Sequence, residues 1–163
     1  MRLCILGRGP NWARAGLEEA DQFWVLSTAY QFALSCGITP DKVFQLHGES
    51  LFEPWLHEVE EKVVLIAPHS DYPKAATVPV FELAKKYGPK FASSFVWMMA
   101  MALEAGFDEI IIHGVHLAHQ SEYGIQRDSY FWFAGLAEAK GVKITVPTDS
   151  GLYLGDFLYG VEK

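Results

Sequence analysis

LCILGRGPNW, residues 3–12, joins four apolar residues to a turn that contains Gly7, Gly9 and Pro10. The apolar run is typical of a buried strand, and two glycines allow the backbone to approach a neighbour closely. Pro10 suits the first turn of a helix, and Asn11 offers a side-chain amide for capping or for a ligand. The stretch predicts a strand, a turn and a helix, and the turn either cradles a phosphate or only connects its two neighbours.

Short apolar segments alternate with helix-like segments outward from this stretch. Strands are predicted at residues 2–6, 23–27, 42–47, 62–67, 109–114 and 142–146, and helices at 12–20, 29–35, 78–87, 94–105 and 129–140. This alternation is typical of an α/β fold, a three-layer sandwich around a mostly parallel sheet of about six strands. We expect a single domain over residues 1–163. Its apolar tail, 151–163, would pack on the core or in an oligomer contact.

Composition restricts the classes of partner. The chain has 13 Lys and Arg against 20 Asp and Glu, a net charge of −7. Because no basic stripe offsets this charge, we expect no nucleic-acid partner. No apolar stretch reaches the roughly 20 residues that span a bilayer, and no signal peptide is recognisable, so we expect no membrane partner. Cys4 and Cys36 lack CxxC spacing, which is typical of reduced thiols in the cytoplasm.

The predicted strand ends carry most of the polar side chains of interest. Ligands of parallel α/β sheets bind beyond the carboxyl ends of the strands, and five of the six histidines lie at or just after such ends. We therefore predict a ligand cleft there, with these candidate residues: Gly7, Gly9, Pro10, Asn11, Ser27, His47, Gly114, His116, His119 and Ser150. His116 and His119 are the candidate proton-transfer residues. The sequence contains no HExxH pattern, and we predict no metal site.

Ser93 and Ser94 precede the most apolar helix, residues 94–105. The first N–H groups of a helix lack internal partners, so an anion is a natural occupant of this end. The alternative is that one serine only caps the helix, which looks identical in sequence.

Several enzyme classes lose support on motif grounds. Trp12 stands where a dinucleotide fingerprint requires its third glycine, and no acidic residue ends the second predicted strand, which disfavours an NAD-dependent dehydrogenase. The chain has neither the GxSxG elbow of serine hydrolases nor the GxxxxGK[ST] loop of P-loop kinases.

Three motifs together resemble a known group. Gly7-Arg8-Gly9-Pro10-Asn11 resembles its GxGPS loop, Ser93-Ser94-Phe95 its helix start, and residues 109–116, EIIIHGVH, its EIxLxGxD strand. The group comprises archaeal proteins similar to 6-hydroxymethylpterin diphosphokinase, small Rossmann-like proteins of tailed phages, and more distantly the bacterial sialyltransferases that use CMP-sialic acid. Residues 122–127 and 134–137 resemble the phage members.

The resemblance implies a Rossmann-like fold and a nucleotide-type small-molecule ligand. Its phosphates would lie at residues 7–11 and at the Ser93-Ser94 helix start, and Tyr123 and Arg127 would join the site. Asn11 replaces the usual serine, and His116 replaces an aspartate. If that aspartate supports a metal in the relatives, a role for Mg²⁺ here is in doubt. The resemblance also implies a location in the cytoplasm, that of the host if the gene belongs to a phage.

Two hypotheses of function follow. The first is a transferase acting on a phosphorylated nucleotide donor, in which His116 or His119 moves a proton and Arg127 pairs with a phosphate. The alternative is a non-catalytic, phage-type protein that binds a nucleotide or a nucleotide-derived signal. In either case a homodimer or higher homo-oligomer would fit the apolar C-terminal tail, Leu152 to Tyr159.

Overall fold

The computed structural model describes residues 1–117 and 121–155, without the side chains of residues 121–123. In this part of the chain one sheet contains seven strands: β1 (Arg2–Leu6), β2 (Gln22–Leu26), β3 (Lys42–Gln45), β4 (Val63–Leu65), β5 (Ala76–Thr77), β6 (Glu109–His113) and β7 (Lys143–Thr145). Their order is β5-β4-β3-β2-β1-β6-β7, and every neighbouring pair is parallel. The predicted α/β, Rossmann-like fold is confirmed.

The connecting segments are helical. The α-helices are α1 (Tyr30–Ser35), α2 (Val80–Tyr87), α3 (Ser94–Ala105) and α4 (Ser121–Ala139), and 3₁₀ helices cover Trp12–Leu17, Ser27–Ala29, Glu49–Leu51 and Pro54–Lys62. None of the helices in the described residues combines the length and the apolar character needed to cross a bilayer.

Alternate residues of each strand face two different helical layers. In β1, Leu3 and Ile5 pack with α2, α3 and α4, whereas Cys4 and Leu6 pack with α1 and the 3₁₀ helices. All four side chains are fully buried. The continuous apolar pattern of the strands follows from this burial on both faces of the sheet, which is the middle layer of the sandwich.

Several elements differ from the prediction, among them one strand and two helices. Strand β5 was not predicted, because its two residues are exposed, pair only with β4 and show no apolar run. The segment after β1 forms a 3₁₀ helix that ends at Leu17 and not an α-helix. Helix α4 begins at Ser121, eight residues before the predicted start. Its first turns contain Gly124 and the exposed Ile125, so they lack the helical spacing of apolar residues on which the prediction was based.

Leu152 joins the C-terminal segment to the core. Leu152 is buried in the layer that contains α3 and α4. Leu154 is exposed, and residues 156–163 of the predicted tail lie outside the described residues.

Candidate functional site

A cavity of about 820 Å³ opens at the carboxyl edge of the sheet. Strands β1 to β5 follow one another in one direction, and β6 and β7 lie on the other side of β1. Such a change of direction leaves a crevice in which open α/β sheets bind their ligands. The volume is within the range of about 300–1,000 Å³ that small-molecule sites occupy.

The cavity wall is contributed by the strand ends, by the start of α3 and by one residue of α4. Its members are Gly9, Pro10, Leu26, Ser27, Thr28, Phe44, Leu46, His47, Ile66, Phe91, Ala92, Ser93, Ser94, Phe95, Trp97, Gly114, Val115, His116, Leu117 and Gln126. Among these described lining residues there is no Lys, Arg, Asp or Glu. The polar groups of this wall are therefore backbone N–H and carbonyl groups, hydroxyls, one side-chain amide, one indole N–H and two imidazoles.

The loops that follow β1 and β6 are hydrogen-bonded to each other. The N–H of Gly7 donates to the carbonyl oxygen of His113 at 2.9 Å, and the N–H of Gly9 donates to that of Gly114 at 2.6 Å. A Cβ atom at Gly7 would lie 2.4 Å from the Gly114 oxygen, and one at Gly9 would lie 2.8 Å from it. These glycines permit the close contact between the loops, and their N–H groups are engaged within the chain.

The side-chain amide of Asn11 is also engaged by the chain. Its Oδ1 accepts the N–H of Gly114 at 3.0 Å, and its Nδ2 donates to Asp149 at 3.3 Å. Arg14 forms an ion pair with the same carboxylate at 2.9 Å. Asn11 has a positive φ of 63° and makes no capping hydrogen bond. The amide thus ties the first loop to the two segments that follow β6 and β7.

The start of α3 faces the cavity. Ser93 is the N-cap, and its hydroxyl accepts the N–H of Val96 at 3.4 Å. Gly106, with φ of 76°, ends the helix as its sequence predicts. Ser94 and Phe95 are the first two helical residues, whose N–H groups have no partner inside an α-helix. Because Ser93, Ser94 and Phe95 all line the cavity, these donors lie beside it.

An aromatic pair forms part of the wall next to the helix start. The rings of Phe91 and Trp97 stack with centroids 3.6 Å apart and planes 8° apart. Both residues line the cavity and are half-buried. The site therefore combines a helix N-terminus with a flat apolar surface.

The predicted site residues fall into three groups. Those that line the cavity are Gly9, Pro10, Ser27, His47, Ser93, Ser94, Gly114 and His116. Gly7, Asn11, Arg127 and Ser150 lie outside its wall. The guanidinium of Arg127 lies over the ring of Phe131, 5.5 Å from its centroid. His119 and the side chain of Tyr123 lie outside the described residues.

Two of the other histidines at strand ends have contacts away from the cavity. Nε2 of His113 lies 2.8 Å from Glu18, on the face of the sheet that packs against the 3₁₀ helices. His69 packs with Phe52 and Tyr72 and lies 3.1 Å from Glu49. Position at a strand end therefore predicts the edge of the sheet at which a histidine lies but not the face to which its side chain points.

Sequence reasoning missed Thr28, Phe91, Trp97 and Gln126 as lining residues. Phe91 and Trp97 flank the two serines in sequence, at two residues before Ser93 and one helical turn after it, so that spacing was a signal. Thr28 follows the predicted Ser27 directly. Nothing in the sequence pattern distinguishes Gln126 from its neighbours.

The shifted pKa values belong to groups outside the cavity wall. Hydrogen bonds from Lys86 and Tyr87 lower the pKa of Glu104, and burial raises the pKa of Tyr87 and Tyr130. A hydrogen bond from Lys143 is the main cause that lowers the pKa of Glu109 to about 2. These groups stabilise the fold, and a search for shifted pKa values would not find the cavity.

Within the described residues, no group of three or more His, Cys, Asp or Glu side chains is arranged to hold a metal ion.

Comparison with known proteins supports the fold. No protein-family model and no curated protein sequence matches this chain. Among solved structures it is similar to thiamine pyrophosphokinase from Bacillus subtilis, with a TM-score of 0.56 and 14% identity over 90% of this chain and 60% of that chain. It is also similar to the sialyltransferase CST-II in complex with a trisaccharide acceptor and CMP, with a TM-score of 0.50 and 11% identity over 92% of this chain and 82% of that chain.

At such identities the likeness shows a shared fold. The chain spans 60% of the length of the pyrophosphokinase. The resemblance to sialyltransferases that the motifs indicate is thus supported at the level of the fold, whereas the resemblance to the archaeal and phage groups stays a prediction.

Proposed function

We propose that this chain binds a nucleotide-type small molecule in the 820 Å³ cavity and acts as a transferase on a phosphorylated nucleotide donor. One observation carries the proposal: the start of α3 and the Phe91–Trp97 stack belong to the same cavity wall. A nucleotide needs both features, because its phosphate is an anion and its base has a flat aromatic face that can stack.

The phosphate would bind at the start of α3. The N–H groups of Ser94 and Phe95 and the helix dipole attract negative charge there. The N–H groups of Gly7 and Gly9 donate to the loop after β6. The sequence predicted phosphate contacts both at residues 7–11 and at the start of α3, and the proposal places them at the start of α3 alone. In a transferase the same donors would stabilise a phosphate leaving group.

The neutral wall favours a ligand of low charge. A triphosphate is usually held by Lys or Arg side chains and a bound Mg²⁺, and the described lining residues contain no Lys, no Arg and no carboxylate. A nucleoside monophosphate, or a nucleotide–sugar conjugate with one phosphate, fits these donors better. Because no carboxylate is among the described residues of the wall, any Mg²⁺ would have to enter with the ligand, and calorimetry with and without Mg²⁺ tests this. The proposed homo-oligomer is tested by sedimentation of the same sample.

A second function, a non-catalytic nucleotide-binding protein, is favoured by one observation. The imidazole of His116 accepts a backbone N–H of the chain at Nδ1, 3.0 Å away, which restricts its use in proton transfer. Incubation with CMP, ATP and CMP-conjugated sugars, followed by mass spectrometry, separates the two functions. A new product supports the transferase, and recovery of unaltered ligand supports the binding protein.

Calorimetry with CMP tests the binding site. The change Ser94→Asp adds a negative charge that the helix dipole stabilises, so we expect unchanged or higher stability of the fold. Because the same charge repels a phosphate, we expect at least tenfold weaker CMP binding. Ser35→Asp, at the exposed C-terminal end of α1, is the control for a negative charge added away from the cavity, and it should bind CMP like the unaltered protein. If CMP, ATP and their conjugates all fail to bind the unaltered protein, with or without Mg²⁺, the proposal is wrong.

A further inference from the structure

A turn after β7 is attached to the loop after β6 through Ser150. The Ser150 hydroxyl donates to the carbonyl oxygen of Val115 at 3.0 Å and accepts the N–H of Leu152 at 3.1 Å. The residue is buried, with 7% of its surface exposed. Ser150, predicted as a ligand-binding residue, thus uses its hydroxyl to join two segments of the chain.

The next residue of the turn holds His116. The N–H of Gly151 donates to Nδ1 of His116 at 3.0 Å. A backbone N–H can only donate, so Nδ1 must present its lone pair to it. In the neutral imidazole the single proton then lies on Nε2, because the hydrogen bond at one ring nitrogen decides which nitrogen carries the proton.

The loop that carries His116 has an uncommon backbone. Gly114 has φ of 67° and Leu117 has φ of 48°, and both line the cavity next to His116. A left-handed conformation is unfavourable for a leucine, and such conformations persist where the surrounding contacts determine them. The bonds from Ser150 and Gly151 are contacts of this kind, and they fix the position of the imidazole at the cavity wall.

We propose that Gly151 holds His116 as the neutral Nε2–H tautomer, so that His116 does not act as a proton acceptor. Ser150 and Gly151 are then positioning residues. A general base would need the lone pair on Nε2, and an imidazolium would need a proton on Nδ1. Either state would place a proton of the ring against the N–H of Gly151. The consequence for a transfer reaction rests on the proposed function.

The tautomer can be observed without any ligand. Histidine is labelled with ¹⁵N in the full chain, and the His116→Gln variant identifies the resonances of His116 by their loss. At neutral pH we expect a protonated, pyrrole-like Nε2 and an unprotonated, pyridine-like Nδ1. A protonated Nδ1, in a neutral or a charged ring, overturns the proposal.

Two variants at Gly151 test the cause. Gly151→Pro removes the N–H, so His116 should become a mixture of the two tautomers, whereas Gly151→Ala keeps the N–H and should leave the spectrum unchanged. If both variants keep pure Nε2–H, Gly151 does not set the tautomer. Should the proline variant not fold, the alanine variant and the spectrum of the unaltered protein still decide, because a protonated Nδ1 in either contradicts the assignment.

Addition of CMP tests whether the tautomer persists in the complex. We expect Nδ1 of His116 to stay unprotonated when CMP binds, and protonation of Nδ1 on binding would contradict the proposal. If CMP, ATP and the conjugates all fail to bind, the proposed function is lost, but the ligand-free spectrum decides the tautomer independently.

Discussion

The backbone N–H of Gly9 donates to the carbonyl oxygen of Gly114 at 2.6 Å, beyond the last residues of β1 and β6. The two parallel strands therefore remain in contact through the loops that follow them. The glycines of the first loop resemble half of a phosphate-binding fingerprint, but their spacing is explained by this contact. The glycine pattern lies at the edge where the cavity opens, but the contact between the two loops explains the glycines without a bound phosphate.

Replacement of Gly114 should destabilise the protein strongly. Its φ is 67°, and a Cβ atom there would lie 2.2 Å from the carbonyl oxygen of Gly7. Since the obstacle is backbone, we expect Gly114→Ala to lower the free energy of unfolding by about 2–4 kcal/mol. Gly48→Ala is the control, because a Cβ atom at Gly48 meets nothing within 4 Å and its φ is −64°. Urea denaturation compares the variants, and equal midpoints would contradict the argument.

The two serines before α3 should have separable roles. Ser93 makes the capping hydrogen bond, so Ser93→Ala should lower the free energy of unfolding by about 1 kcal/mol. Ser94→Ala removes a hydroxyl beside the cavity and no cap, so we expect it to change stability by less than about 0.5 kcal/mol. Thermal or urea unfolding measures both. If Ser94→Ala lowers the free energy of unfolding more than Ser93→Ala does, Ser93 is not the capping residue.

The fold was predictable because burial leaves a simple pattern in sequence. Strand β1 and helix α3 have the predicted bounds. The apolar run of β1 ends just before Gly7. Helix α3 begins after the capping Ser93 and ends before Gly106. Strand β5 was not predictable, because its exposed Ala76 and Thr77 depend on pairing with β4 and not on burial. The order of the strands also depends on contacts between distant residues, which no local pattern contains.

The site was predictable in part for a related reason. Parallel strands end at one edge, so the residues after them gather there whatever their side chains are. Sequence does not show which partners they take at that edge. Asn11 and Ser150 have side chains that could bind a ligand, but both are hydrogen-bonded within the chain. Asn11 accepts the N–H of Gly114, and Ser150 donates to the carbonyl oxygen of Val115.

Loss of the Trp97 ring should weaken binding of a nucleoside. Trp97 stacks with Phe91 at the cavity wall, and stacking contributes about 1–3 kcal/mol per base. Trp97→Leu should therefore weaken cytidine binding by about tenfold or more, and it should have little effect on binding of inorganic phosphate. Trp132→Leu is the control, because Trp132 is exposed and does not line this cavity. If calorimetry gives equal cytidine affinities for the two variants, the Trp97 ring does not contribute to nucleoside binding.

The two cysteines should differ in reactivity. Cys4 is fully buried, and burial raises the pKa of its thiol to about 12, so almost no thiolate forms at pH 8. Cys36 is half-buried, and we expect a thiol reagent to modify it alone in the native protein. Modification of both cysteines should require denaturant. A Cys36→Ser variant that still reacts at the native rate would contradict this expectation.

Glu109 should make stability depend on pH below about 4.5. Its carboxylate accepts hydrogen bonds from Arg2, Lys143 and Thr145 at 2.8–2.9 Å, which ties β6 to β1 and β7 at the edge of the sheet opposite the cavity. The hydrogen bond from Lys143 is the largest cause that lowers its pKa from 4.5 to about 2. The folded state therefore binds the proton less readily than the unfolded state does.

The sign of the effect follows from this difference. The stabilisation is fully present above the unfolded pKa of 4.5 and is lost as the pH falls towards 2. We expect the unaltered protein to lose about 2–3 kcal/mol over this interval from this group alone. Glu109→Gln should be less stable at pH 7 and should lose less on acidification, whereas Glu61→Gln, an exposed carboxylate, should follow the unaltered protein. Urea unfolding between pH 7 and pH 3 measures the three slopes. If the slope of Glu109→Gln equals that of the unaltered protein, the acid sensitivity comes from other carboxylates.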